Sequence, residues 1–289
     1  MGIDNATKDR IIGEQLATRA GRARLAASLQ QPLRDRRDYL SVARKAYYVE
    51  GLPPGAMPYY DKDPELTAYV VGEEGEGISA VVKPRRVMVP LFEIAAIADI
   101  PLTQVNERRF DVLKRSQDKA RSMIQAAEDV RSFAIMDAVA VGGFDSVGPV
   151  NPDMPIAAPL NADVLADAFG QVEQHDLAVS FLFMNPLDYT DFRKFGRDIY
   201  DPETQKSVLN SGIMGVLWGA KIVTSRLVPR GTVYITCDPE MFGRIPVRTE
   251  LTVLSADDTR SRMVGFSFFE NLGIACTNPR GLQRLLITR

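Results

Sequence analysis

Residues 100–143, IPLTQVNERRFDVLKRSQDKARSMIQAAEDVRSFAIMDAVAVGG, decide how the rest of the chain is read. No Gly or Pro occurs between Leu102 and Val141. Apolar residues recur at Leu113, Ala120, Met123, Ile124, Ala127, Val130, Ala134 and Ala138 with polar residues between them, which is helical spacing. Thr103 is placed to act as N-cap with Glu107 in the first turn, and Gly142 and Gly143 supply the stop. At 1.5 Å per residue such a helix runs roughly 50 Å, longer than most helices of globular domains. Its stripe is mostly Ala, Met and Val, which suits a strut lying against a sheet, and the helix is therefore read as a mechanical spine.

The 289 residues are 45% hydrophobic and 25% charged, enough for one large domain or two smaller ones. A net charge of −2 provides no general attraction to nucleic acid or to an anionic membrane. The sequence has no run of 18 apolar residues, and MGIDNATKDR lacks the hydrophobic region of a signal peptide, so a soluble protein made in the cytosol is expected. Ala6 stands where a myristoylation signal needs Ser or Thr. Two cysteines, Cys237 and Cys276, are too few for a disulfide framework or a thiolate zinc site and read as small buried residues. The single histidine, His175, closes off multi-histidine metal sites within the chain and reads as a helix-terminal side chain.

Residues 1–48 carry ten basic and five acidic side chains, a surplus of five positive charges. Their narrow stripe (Ile11, Ile12, Leu16, Leu25, Leu29, Leu33) cannot close a core. This arm is a solvated helical tail, or it docks on a neighbouring subunit or faces an anionic interior. Residues 49–65 form a Pro- and Gly-rich break with Tyr59 and Tyr60 adjacent. A projecting hairpin follows, with strands expected at 66–71, 78–82 and 85–89 around GEEGEG. The three glutamates of that turn would repel phosphate, so it is not a phosphate loop. A two-stranded hairpin is marginal alone in water and is expected to find its partner in another chain.

Residues 90–99 lead into the spine, and residues 144–159 make a Pro-rich connection. Beyond it a capped helix is expected over 161–174, a buried strand over 179–184 and a helix over 187–195. Residues 202–209 read as helix or loop, and 221–225 and 232–237 as a strand pair joined by Pro-Arg-Gly. This alternation suits a small α/β lobe over 142–243. The tail alternates as strands over 247–256 and 262–270, turning at Asp257-Asp258, and then over 272–277 and 282–287, turning at 278–281. The available apolar stripe long enough to cover the tail strands is the spine. The expected α+β architecture is thus a lobe built from residues 91–141 and 244–289 with the α/β lobe inserted.

In this order of elements the chain resembles the major capsid proteins of tailed phages, whose fold is shared with encapsulin shells and the floor of the herpesvirus capsid. The stretches that carry the resemblance are VVKPRRVMVPLFEIAAIADIPLTQV, AAEDVRSFAIMDA, FLFMNPLDYTDFRKF, AKIVTSRLVPRGTVYITCDP and FSFFENLGIACTNPRGLQRLL. The resemblance implies an N-terminal arm (1–48), an extended loop (49–90), a peripheral domain (91–141 and 244–289) and an axial domain (142–243). It implies pentameric and hexameric capsomers of one chain that close into an icosahedral shell around double-stranded DNA, held by non-specific contact in a virion. It also implies separate scaffold and portal proteins and no membrane; whether decoration proteins bind is left open. Some relatives crosslink a loop lysine to a neighbour's asparagine. Lys62 and Lys83 lie in or beside the loop and Asn271 and Asn278 in the tail, but no motif fixes a pairing, so non-covalent locking is expected.

The first alternative is an encapsulin-like compartment that packages protein cargo, with Leu25, Leu29 and Leu33 available to line a cargo groove. The second is an α/β enzyme, which would need a glycine fingerprint between strand and helix that the sequence lacks. A DNA-binding module is disfavoured because no compact basic face with interleaved aromatics occurs. Glu128-Asp129 and Asp257-Asp258 read as solvated charge. No residue is assigned a catalytic, cofactor-binding or metal-binding role.

Overall fold

A computed structural model describes residues 41–62, 85–101, 112–142, 150–157, 159–192, 194, 215–255 and 261–288. A 3-10 turn (Ala43–Ala46) leads into strands β1 (Tyr48–Gly51), β2 (Tyr59–Lys62), β3 (Arg85–Met88) and β4 (Phe92–Pro101), then the spine helix α1 (Val112–Ala140). Next come β5 (Met154–Ala157), α2 (Ala162–Glu173), β6 (Val179–Met184), the short α3 (Tyr189–Phe192), β7 (Val216–Leu217), β8 (Ala220–Thr224) and β9 (Thr232–Cys237). The chain closes with α4 (Pro239–Phe242), β10 (Gly243–Ser255), β11 (Met263–Leu272), β12 (Ala275–Cys276) and β13 (Leu282–Thr288). The expected helix start at Thr103, the strands at 66–71 and 78–82, residues 202–209, Asp257-Asp258 and the arm through residue 40 lie outside the described residues.

The spine is a helix of 29 described residues, roughly 44 Å long. It stops where Gly142 takes φ +91°, a conformation that suits glycine. Its buried face matches the stripe read from the sequence only in part: Ala120 and Ile124 are buried. Met123, Val130, Ala134 and Ala138 are exposed, whereas Glu128, Asp129, Ser132, Phe133, Met136 and Val139 are buried. Large aromatics do contribute: the Phe133 ring stacks on Tyr234 at 5.8 Å and meets Phe183 edge-on at 6.0 Å.

By compactness the chain divides into two units. The larger comprises the described residues of 41–94, 125–252 and 269–288, and its core is a six-stranded sheet in the order β5-β13-β9-β6-β8-β7. All six residues of β9 are buried, as expected of a central strand covered on both faces. Leu165, Ala168, Phe169 and Val172 of α2 join the same core, and Asn161 caps that helix by accepting from the Val164 amide at 3.0 Å. The smaller unit contains, among the described residues, 95–101, 112–124, 253–255 and 261–268, with Ala120, Ile124 and Phe268 buried.

Several expectations are corrected. β8 and β9 are both strands but do not pair with each other. β6 lies between them, parallel to β8 and antiparallel to β9. The last strand, β13, does not join a tail hairpin; it sits between β5 and β9, parallel to the first and antiparallel to the second. The Pro-rich connection contains β5, an edge strand in which Pro155 is tolerated. Residues 90–99 contribute β4, in the sheet β1-β10-β11-β4, with β12 pairing β10. The Tyr59-Tyr60 break is itself strand β2, antiparallel to β3 with Tyr59 opposite Met88.

Candidate functional site: the buried charge cluster at the arm root

Residues 41–47, read from the sequence as the end of the arm, are built into the larger unit, with Ala43, Ala46 and Tyr47 buried in its core. A 3-10 turn leaves its first amides without internal partners, and Val42, at the cap position, supplies no side-chain bond. Asp129 of the spine supplies it from 87 residues away. Its carboxylate accepts from the Val42 amide at 2.8 Å, the Ala43 amide at 3.2 Å and the Ser41 hydroxyl at 2.7 Å. Tyr47 donates to the Ser132 carbonyl at 3.3 Å and packs its ring 5.1 Å from Phe242. Gly243 makes room for it: a Cβ there would come within 2.8 Å of the Tyr47 ring and 2.6 Å of the Ala275 carbonyl oxygen.

Arg44 stands between two acids. Its Nε donates to Glu128 Oε1 at 2.6 Å, its Nη2 pairs with Glu270 of β11, and its Nη1 lies 3.7 Å from the exposed Glu250 of β10. The Glu128 and Glu270 side chains are 1% and 3% exposed, against 29% for Arg44. Glu128 Oε2 is buried with no hydrogen-bond partner. Burial pushes the Glu128 carboxyl up to about 7, despite the pull of Arg44 downward and with Glu270 and Asp129 adding to the rise. Burial likewise raises Glu270. The expectation that Glu128-Asp129 is solvated charge is therefore overturned. Neighbouring helix positions do point in different directions, but here both directions are occupied, one by Arg44 and the other by the amides of the 3-10 turn.

A second ionic group lies at the far end of the spine. Arg284 of β13 pairs with Asp153 through Nε at 2.9 Å and with Asp137 through Nη1 at 2.8 Å, while the Tyr234 hydroxyl donates to Asp137 Oδ1 at 2.7 Å. Burial and the Asp137 bond raise the Tyr234 hydroxyl far above its usual range. Beside the β2–β3 ribbon, Tyr60 donates to Glu50 Oε2 at 3.1 Å, and Arg244 lies 5.4 Å from the Tyr48 ring and 5.5 Å from the Tyr60 ring. The β2–β3 ribbon leaves Met57, Tyr59, Val87 and Met88 exposed.

The residues weighed earlier for chemistry have structural places. His175 Nε2 is 3.1 Å from Asn151 Oδ1, just beyond the end of α2. Cys237 and Cys276 are free and buried, and burial lifts their thiols to about 11 and about 12. Asn278 caps the turn Pro279–Gly281 by accepting from the Arg280 amide at 3.2 Å. Among the described residues no group of three or more His, Cys, Asp or Glu could hold a metal ion, and no helix is long and apolar enough to cross a membrane.

Comparison with solved structures gives the class: the chain has the mixed α+β fold of tailed-phage capsid proteins. One such structure is the capsid of the cyanophage P-SCSP1u, with a TM-score of 0.70 at 9% identity over 90% of this chain and 92% of its own. Another is the mature capsid of bacteriophage PhiM1, with 0.67 at 10% identity over 90% and 91%. A virus-like particle from Pyrococcus furiosus scores 0.57 at 15% identity over 96% and 98%. No protein-family model and no curated protein matches the sequence.

Proposed function

We propose that this chain is a major capsid protein that assembles through pentamers and hexamers into an icosahedral shell enclosing phage double-stranded DNA. The observation that carries the reading is a fold likeness to phage capsids that runs the length of both chains, about nine-tenths of each. The construction of the subunit agrees with it. A buried ionic cluster ties residues 41–47 to the spine, and the β2–β3 ribbon exposes apolar side chains that a neighbouring copy would cover. The role is structural rather than enzymatic, with the arm and extended loop as intersubunit contacts, the positive surplus of the arm facing DNA or acidic neighbours, and scaffold and portal proteins as separate partners. We read the peripheral domain as 91–141 and 244–289 and the axial domain as 142–243 with β13 added to its sheet, a division that differs from that of the two compact units.

An encapsulin-like compartment is the second reading, favoured by the near-complete mutual coverage with the P. furiosus particle. The phage capsids above score higher, 0.67 and 0.70 against 0.57. Sedimentation of the chain coexpressed with scaffold and packaging partners, followed by nuclease treatment, separates the two. Fast-sedimenting particles that protect DNA support the capsid, whereas particles that hold protein cargo and no protected DNA support the compartment.

A further inference from the structure

Two carboxylates sunk into one core share a single guanidinium, so the cluster carries one negative charge more than its counter-charge. The charged groups that face Glu128 are Arg44 from the 3-10 turn, Glu270 from β11 and Asp129 beside it on α1; Glu250 reaches Arg44 from the solvent side. Asp129 is engaged by two amides and the Ser41 hydroxyl. Glu128 keeps one oxygen, Oε2, buried and without any partner. An ionised carboxylate with a desolvated, unbonded oxygen is costly, and a proton on that oxygen removes the charge, which is the larger part of that cost.

We propose that Arg44, Glu128 and Glu270 form a one-proton latch: Glu128 holds a proton while residues 41–47 are seated on the spine, and loss of that proton to solvent loosens the seat. The bond that forms and breaks is Oε2–H, and the proton comes from and returns to water. Arg44 remains charged throughout and stays paired with Glu270. The seat that the latch governs is residues 41–47. The inference rests on the folded subunit and is independent of shell assembly.

The Glu128 carboxyl lies above its ordinary value in the seated state, up to about 7. Its contribution is therefore fully present below pH 4.5 and is lost as pH rises through about 7. The test is amide hydrogen exchange on the full chain, with protection corrected for intrinsic rates, at pH 5.5 and pH 8.5. Protection of Val42, Ala43 and Tyr47 should fall at least tenfold between the two, a change smaller than the full shift allows. Glu128→Gln should show high protection at both values. His175→Gln, which removes the only histidine of the chain, should retain the wild-type fall. Equal protection at both pH values in the wild type overturns the latch, and so does an undiminished fall in Glu128→Gln. The wild-type profile decides the matter even where the variant does not fold.

Discussion

The two ionic groups along the spine are each centred on one arginine with acids around it, and they have opposite burial. At the C-terminal strand the cation is the buried member: Arg284 is 10% exposed while Asp137 and Asp153 are 38% and 29% exposed. At the arm root the acids are buried and the cation is the wetter member. The guanidinium loses less by leaving water than a carboxylate does, because its charge is delocalised and its five donors can all be used. Arg284 can be buried as an ion, and its acids keep their hydration. Glu128 and Glu270 lose theirs, and Arg44 alone cannot offset both. The first group is a fixed clamp between β13, the residue just before β5 and the spine; the second is sensitive to its conditions.

The largest effect expected is for Arg44→Met, which leaves two buried acids without a counter-charge. It should lower stability by about 4 kcal/mol at pH 8, and by clearly less at pH 5.5, where the acids can take up protons. Equal losses at the two pH values in thermal unfolding would erase the distinction between the groups. Next, Glu128→Gln should stabilise at pH 8 by no more than about 3 kcal/mol, the equivalent of a carboxyl held near 7 instead of 4.5, and should be neutral at pH 4.5. Arg284→Met should cost about 2 kcal/mol with no difference between pH 5.5 and 8.5, because the acids it leaves behind already touch solvent. Smallest is Tyr234→Phe, about 1 kcal/mol for the hydroxyl bond to Asp137, measured by denaturant unfolding.

Elements with strong local signals were legible in the sequence. The described part of the spine, α2 with its Asn161 cap, β6 and β9 fall where period, and for α2 capping, place them, because each is specified by neighbours within a few residues. The spine's buried face was not legible. A hydrophobic pattern cannot rank Glu128 and Asp129 above Met123 and Val130 as interior residues; what buries them is Arg44 and the Val42 and Ala43 amides, more than 80 positions away. Arg44 falls within a basic run and gives no local sign of its role. Strand order was hidden for a related reason. The pairing of β8 with β6 rather than β9, and the insertion of β13 beside β9, are long-range choices that a turn signal such as Pro-Arg-Gly does not report. β5 was masked by its prolines, and β4 by an apolar run that fits a strand or a helix equally well. The order of elements as a whole carried the capsid resemblance even though no single motif did.

Electron microscopy of the purified chain, alone and with coexpressed scaffold, tests the proposed assembly into a shell. Closed icosahedral particles or ring-shaped capsomers are the expected result. A homogeneous monomer that never assembles, at high concentration and with those partners present, would contradict it.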